Sequence, residues 1–272
     1  MTQLPTGRKS KGKRHLLSAA MEIIDSYSHC GISKYEPIER VRAVMRSGDV
    51  ARAVLVQHLG EYDNRYLQDV VAADPDHLTG VCMVDHQLPD ASGTLKHWHQ
   101  TGCFRGVRLS TDVLSVAPQL FSTAAETGLV IVLYAPDGVG GFVEQIDALL
   151  HDHPDARLVL THLGNPPVGQ SAEAEAYREV FRLARYAHVY FQISGMKMFC
   201  PHPHEPLYTW IGSAVETFGS DRLLWGSNYP VVGDTDDYLA DLRLVTSGQL
   251  PFSKPSIPAV AGENARRLWF DK

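Results

Sequence analysis

The chain lacks the marks of several broad protein classes. Its four cysteines, Cys30, Cys82, Cys103 and Cys200, form no Cys-x-x-Cys pair. The spacing therefore writes no zinc-ribbon or redox motif; reduced thiols in a cytoplasmic protein are expected, with a disulfide left open. No apolar run approaches the roughly 20 residues of a membrane span. The longest, such as Gly128–Ala135, have the length of a strand, and the N-terminus shows no apolar stretch long enough for a secretory signal. Excess positive charge is missing too: 25 Lys and Arg against 31 Asp and Glu leave a net charge of −6. That argues against a general nucleic-acid-binding surface. No Gly-rich phosphate turn follows an early strand, which counts against an open doubly wound sheet. There is no internal repeat and no low-complexity tract.

What is present is a chain of 272 residues, 44% of them hydrophobic, enough for one large barrel or two small domains. Residues 1–20 carry Arg8, Lys9, Lys11, Lys13 and Arg14 without an acidic residue and read as a basic tail or arm. From Glu22 onward, short runs rich in Val, Ile and Leu recur without strict alternation, as in parallel strands buried on both faces. These strands are predicted at Glu22–Ser26, Ala51–Gln57, Leu78–Val84, Gly102–Leu109, Leu129–Tyr134, Arg157–Thr161, Val189–Ile193 and Leu223–Gly226. Helical spacing appears between them, at Pro37–Ser47, Leu67–Ala73, Ala117–Thr127, Gly141–His151, Ala172–Arg185 and Pro206–Phe218, with a closing helix at Glu263–Phe270. Eight strands with intervening helices predict an α/β fold, a single-domain (β/α)8 TIM barrel over residues 21–272. Trp98, between His97 and His99, is expected on the surface, facing a partner or packing on the barrel; the oligomeric state stays open.

In such a barrel the active site lies at the C-terminal ends of the strands. The strand ends supply Tyr27 and His29; Gln57 and His58; Asp85 and His86; Arg105 and Arg108; Tyr134; Thr161 and His162; Ser194 to Lys197; and Ser227 and Asn228. Arg105 and Arg108 are three residues apart, so strand alternation sends them to opposite faces. Arg108, nearer the strand end, is the one expected to reach a substrate carboxylate through a bidentate pair.

Several segments carry a family resemblance in the expected order. They are Asp25-Ser26-Tyr27-Ser28-His29, Asp63-Asn64-Arg65-Tyr66-Leu67, Gly102-Cys103-Phe104-Arg105-Gly106-Val107-Arg108-Leu109, Thr161-His162-Leu163-Gly164, Gly226-Ser227-Asn228-Tyr229-Pro230 and Gly262-Glu263-Asn264-Ala265-Arg266-Arg267-Leu268. Together they resemble the amidohydrolase-related family, nearest to its 2-pyrone-4,6-dicarboxylate lactonase and sugar-acid lactonase branch. The resemblance implies a small carboxylated or hydroxylated substrate. It also implies that His29 polarises a carbonyl and that His162 shares in polarisation or proton relay. In the superfamily the first strand ends in His-x-His and the last in Asp. Here Tyr27 and Asn228 stand in those two places.

A catalytic zinc needs about three strong ligands. A phenol with a pKa near 10 and a neutral amide are poor ones, so neither a metal nor another cofactor is expected. The loop Cys200-Pro201-His202-Pro203-His204-Glu205 is the counter-case, with a thiol, two imidazoles and a carboxylate. The expected function is metal-independent hydrolysis of a small lactone or related ester. His29, His162 and Asn228 form the catalytic group, and Tyr27, Arg108, Gln57, Tyr134 and Lys197 bind substrate. An amide cannot serve as a general base, so the base falls to His162, His29, a more remote Asp85 or Asp234, or the substrate. Two other readings stay open: a lyase or isomerase acting on a similar acid, and a non-catalytic barrel that binds one.

Overall fold

A computed structural model describes residues 21–170 and 173–271; the basic tail at 1–20 lies outside the described residues. The strands are β1 (Ile23–Ser28), β2 (Val50–Val56), β3 (Leu78–Cys82), β4 (Phe104–Ser110), β5 (Val130–Tyr134), β6 (Leu158–Leu160), β7 (Val189–Ser194) and β8 (Leu223–Gly226). They form one parallel sheet in the order of the chain. The helices are α1 (Ile38–Ser47), α2 (Arg65–Ala72), α3 (Ala91–Gln100), α4 (Thr111–Val116), α5 (Gln119–Thr127), α6 (Val143–Asp152), α7 (Ala174–Arg178), α8 (Tyr208–Phe218), α9 (Thr235–Ser247) and α10 (Asn264–Trp269). The expected (β/α)8 barrel is the fold observed.

Two separate cores account for the unalternated strands. Alternate strand residues such as Val54 and Val56, or Val130 and Val132, join Ile24, Tyr27, Val81, Val159 and Leu224 in a small cluster inside the barrel. Ala265, Leu268 and Trp269 of α10 belong to the same cluster and plug its lower end. The other parity, including Leu55, Val107 and Ile131, packs outward against the helices. Both faces are therefore apolar.

Three expectations change. Helices α3, α4 and α9 are not among those expected from periodicity, although α3 and α9 each begin at an Asp N-cap: Asp90 accepts from Gly93 N, and Asp234 forms a capping box with Asp237. The helix expected at Ala172–Arg185 is α7 followed by a 3-10 stretch over Glu179–Arg185. Trp98, expected to be exposed, is half-buried and takes the second of its two alternatives, packing on the barrel edge-on to Phe104 with ring centroids 5.7 Å apart, because helix α3 turns it against the sheet.

The sheet closes at a polar seam between β1 and β8. Asn228 N donates to Tyr27 O at 2.7 Å and His29 N to Tyr229 O at 2.8 Å. Below them Asp25, fully buried, accepts from Ser227 N at 2.8 Å and from Ser227 Oγ at 2.6 Å. It also accepts from Tyr27 N at 3.2 Å, in a stretch where the β1–β2 register shifts. That irregularity brings both Ile24 and Tyr27, three apart, to the barrel interior.

Burial pushes the Asp25 carboxyl up from 3.8 to about 6, against the lowering effect of its hydrogen bonds. Between those two values the folded chain holds a proton that the unfolded chain has released. Stability should therefore fall as pH rises from about 4 to about 6, and level off above, by about 3 kcal/mol. In urea titrations, Asp25→Asn is expected to flatten the wild-type decline across that window. An unchanged slope in the variant would assign the decline to other groups.

Candidate active site

The seam and the neighbouring strand ends converge on one buried group. Tyr27 comes from β1 and His29 from the residue that follows it, Arg108 from β4, Tyr134 from β5, Ser194 from β7, and His162 and Asn228 from the turns after β6 and β8. Tyr27 is 0% exposed, His29, His162 and Asn228 2% each, and Arg108 5%. The Tyr27 ring meets His29 and His162 edge-on, at centroid separations of 5.1 and 4.9 Å. Tyr134 lies edge-on to His162 at 5.8 Å and carries the Arg108 guanidinium 5.0 Å above its ring centre.

Local backbone makes this crowding feasible. His162 and Asn228 adopt left-handed conformations, with φ of 51° and 58°, a departure costing on the order of 1–2 kcal/mol per residue. Gly226 leaves space for Tyr27, since a Cβ there would sit 2.6 Å from the Tyr27 Cβ. Gly195, at φ 61°, does the same beside His162 Nδ1 and Asn228 Nδ2, where a Cβ would approach to 2.9 and 3.0 Å.

One positive charge governs the electrostatics. Arg108 Nη1 donates to the Gln57 carbonyl at 3.0 Å, while its Nε, sealed from solvent, has no partner. Among the described residues no carboxylate forms an ion pair with it. Burial, and then the Arg108 charge, push both His29 and His162 down to about 3, so both rings are neutral at pH 7. Burial raises the Tyr27 phenol, with Arg108 opposing, and its hydroxyl is a second sealed polar atom without a partner. Two buried donors without protein partners in one cluster are costly.

The proton positions on His29 can be worked out. Its Nδ1 lies 2.6 Å from the Val56 carbonyl, which only accepts, so Nδ1 carries the proton. Nε2 faces Asn228 Oδ1 at 3.1 Å. A second proton at Nε2 would be received by that oxygen; a neutral ring is satisfied when the Asn228 amide makes a half-turn and donates. The other end of that amide, Nδ2, meets Met198 Sδ at 3.1 Å.

Two of the expected substrate-binding residues are engaged elsewhere. The Gln57 amide donates to Asp63 O at 2.9 Å and accepts from His58 N at 3.0 Å, so its side chain shapes the β2–α2 loop. Lys197 pairs with Asp237 of α9 at 2.6 Å, half-exposed and apart from the cluster. Arg105 is exposed on the opposite parity from Arg108. In the loop after β7, His204 is buried and tied to Cys200 O at 2.8 Å and Asp241 Oδ1 at 3.0 Å, which anchors the loop to α9. Burial pushes the Cys30 and Cys82 thiols up to about 12, unsuited to nucleophilic work.

Tyr35 was missed because it sits mid-loop with no strand-end signal. It stacks on His29 at 4.9 Å and meets His58 edge-on at 5.3 Å, covering the β1 side of the mouth. On the other side a cavity of about 560 Å³ is lined by Asp137, Asn165, Gln170 and Glu173, hydrogen-bonding groups of the kind that suit hydroxyls, and by Met198.

The donors at the mouth do not fit a tightly held metal ion. They comprise two neutral imidazoles, an amide and a phenol that burial makes harder to ionise. Among the described residues no group of three or more His, Cys, Asp or Glu side chains is placed to hold one. Also among the described residues, no helix is long and apolar enough to cross a membrane.

The family model described as amidohydrolase matches residues 26–270. An L-fucono-1,5-lactonase from Burkholderia ambifaria is 28% identical over 226 residues, covering 78% of this chain and 75% of that protein. Among solved structures, a 2-pyrone-4,6-dicarboxylic acid hydrolase candidate from Pseudomonas putida superposes with a TM-score of 0.75 at 22% identity, covering 91% of this chain and 97% of its own. The 5-carboxyvanillate decarboxylase from Sphingomonas paucimobilis superposes at 0.65 with 14% identity, covering 92% and 99%. Both superpositions establish the barrel fold. Since the family match runs from the first strand through the closing helix, the chain belongs to the amidohydrolase family and is an enzyme of that hydrolase class.

Proposed function

We propose that this enzyme hydrolyses a small carboxylated lactone or related ester without a metal ion. The observation that carries this reading is the buried Arg108 guanidinium, without a carboxylate partner among the described residues, beside two neutral imidazoles. An uncompensated buried cation costs several kcal/mol, and a substrate carboxylate offsets that cost with a charge-assisted pair. The L-fucono-1,5-lactonase relative supports lactone chemistry, and the polar cavity beside Met198 gives a hydroxylated arm a place to lie.

In this reading the substrate carboxylate pairs with Arg108, and the lactone carbonyl oxygen accepts from the Tyr27 hydroxyl with the Asn228 amide beside it; His29 Nε2, which bears no proton, orients that amide instead of polarising the carbonyl as the resemblance implied. A water attacks the carbonyl carbon while His162 Nε2 takes its proton. Tyr27 stabilises the oxyanion as it forms. Collapse of the tetrahedral intermediate breaks the bond to the ring oxygen, which recovers the proton from His162 and leaves a hydroxy acid. Asn228 orients rather than deprotonates.

A second reading is decarboxylation or isomerisation of a similar acid, favoured by the absence of a carboxylate base from the described cluster. A pH-indicator assay over aldonolactones and muconate- or pyrone-type lactones, with a chelator and with zinc added back, separates the two. Turnover of a carboxylated lactone, indifferent to both additions, is the expected result. Turnover only with zinc would overturn metal independence; no turnover across the panel would favour lyase or isomerase chemistry.

A further inference from the structure

We infer that Gln192 and Ser194, two buried residues of β7, are positioning residues that fix the tautomer of His162, so that its Nε2 presents a lone pair to the substrate pocket. This rests on the reading of His162 as the base.

The relay can be followed from its fixed end. The Trp225 carbonyl can only accept, and Ser26 Oγ donates to it across the β1–β8 seam. The Gln192 amide is oriented by the Ser26 carbonyl, another obligate acceptor, which receives Nε2–H at 3.1 Å; Nε2 also donates to Ser26 Oγ at 2.9 Å. Its Oε1 must therefore face Ser194, whose Oγ lies 3.4 Å away. Ser194 Oγ already accepts from His162 N at 3.2 Å and lies 2.9 Å from His162 Nδ1.

Ser194 has one proton and two places to send it. Given to His162 Nδ1, it leaves the Gln192 amide oxygen, 0% exposed as a residue, without a donor. Given to Gln192, it leaves Ser194 Oγ free to accept from Nδ1–H, and every polar atom of the relay from Ser26 to His162 Nδ1 is satisfied. Unsatisfied buried acceptors are what folded proteins avoid, so the second arrangement holds. His162 Nδ1 then carries the proton. Nε2, which makes no hydrogen bond among the described residues, is the basic atom. The relay spans β7, β8 and β1, so the closure of the barrel and the protonation pattern of the site are one structure. None of these groups titrates near neutral pH, so the pattern persists across the working range.

The test is the nitrogen spectrum of His162 in isotope-labelled protein, assigned by its loss in His162→Ala. Wild type is expected to show a protonated Nδ1 and a bare Nε2. Gln192→Met removes the amide oxygen, frees the Ser194 proton for Nδ1 and should flip the ring to the Nε2–H form. Gln192→Glu keeps an acceptor there and should retain the wild-type pattern. Ser194→Ala should lower kcat about 10–100-fold with little change in KM, and Ser194→Thr should restore it.

A wild-type ring protonated at Nε2 overturns the inference, and so does a Gln192→Met spectrum unchanged from wild type. Should Gln192→Met fail to fold, the wild-type spectrum still decides the tautomer and the Ser194 pair still tests the relay. A wild type with Nδ1–H but no lactone turnover would remove the hydrolase reading and leave the relay standing. Turnover with Nε2–H would do the reverse.

Discussion

Arg108→Met should lower kcat/KM toward a carboxylated lactone by about 10³-fold, mostly through KM, while raising the thermal stability of the free enzyme. The two effects share one cause. In the free enzyme the guanidinium is 5% exposed and pairs with no carboxylate among the described residues, so its removal relieves a desolvation cost. In the complex it holds the substrate anion in a dry site, where loss of one partner of a hydrogen-bonded charge pair costs about 2–5 kcal/mol. Wild type should discriminate strongly against the methyl ester of the same acid, and Arg108→Met should not. Lysine at this position keeps the charge but loses the planar fork, so Arg108→Lys should recover only part of the activity. Undiminished turnover in Arg108→Met would dismiss the anion-binding role. A lowered melting temperature would show instead that the guanidinium's bond to the Gln57 carbonyl and its stacking on Tyr134 outweigh its desolvation.

His162→Ala is the second large effect: kcat should fall about 10²–10⁴-fold, the range for a positioned acid–base group. The wild-type pH profile tests the same assignment in a less familiar way. A histidine base of ordinary pKa would give kcat/KM an acid limb near 6.5. Burial and Arg108 hold His162 down to about 3, and a base works in its unprotonated form, above its pKa. The profile in the free enzyme should therefore stay flat from about pH 5 to 7. Arg108→Met removes one of the two main causes of the depression, so its acid limb should move upward. A wild-type limb near 6.5 would mean that the working base is another group. Substrate binding should act in the same direction as that mutation. An anion on Arg108 cancels much of its field at His162, making the base stronger only when there is substrate to act on.

The eight strands were legible because each is a short Val-, Ile- or Leu-rich run, and their boundaries shift by no more than a few residues on folding. Helix α3 escaped periodicity because its apolar positions are sparse, α4 because it is six residues long, and α9 because its buried stripe of Tyr238, Asp241, Leu242 and Val245 includes a carboxylate, although Asp90 and the Asp234–Asp237 box marked the starts of α3 and α9. The strand-end rule placed Tyr27, His29, Arg108, Tyr134, His162 and Asn228 at one mouth, and the structure brings all six together there. The same rule could not tell that Lys197 would turn to Asp237 or that the Gln57 amide would be taken by its own loop. Those outcomes depend on partners brought near by other elements. Tyr35 and Gln192 had no local signal at all.

The sequence by itself determined the barrel, the ring of strand ends and the chemical types available there, because these follow from the order and periodicity of apolar residues along the chain. Tertiary structure alone decided which of those groups carry charge, which proton sits on which nitrogen, and which donors are left without acceptors. Those properties depend on burial and on hydrogen bonds between β7, β8 and β1, and elements so far apart in the chain acquire their mutual geometry only when the barrel closes.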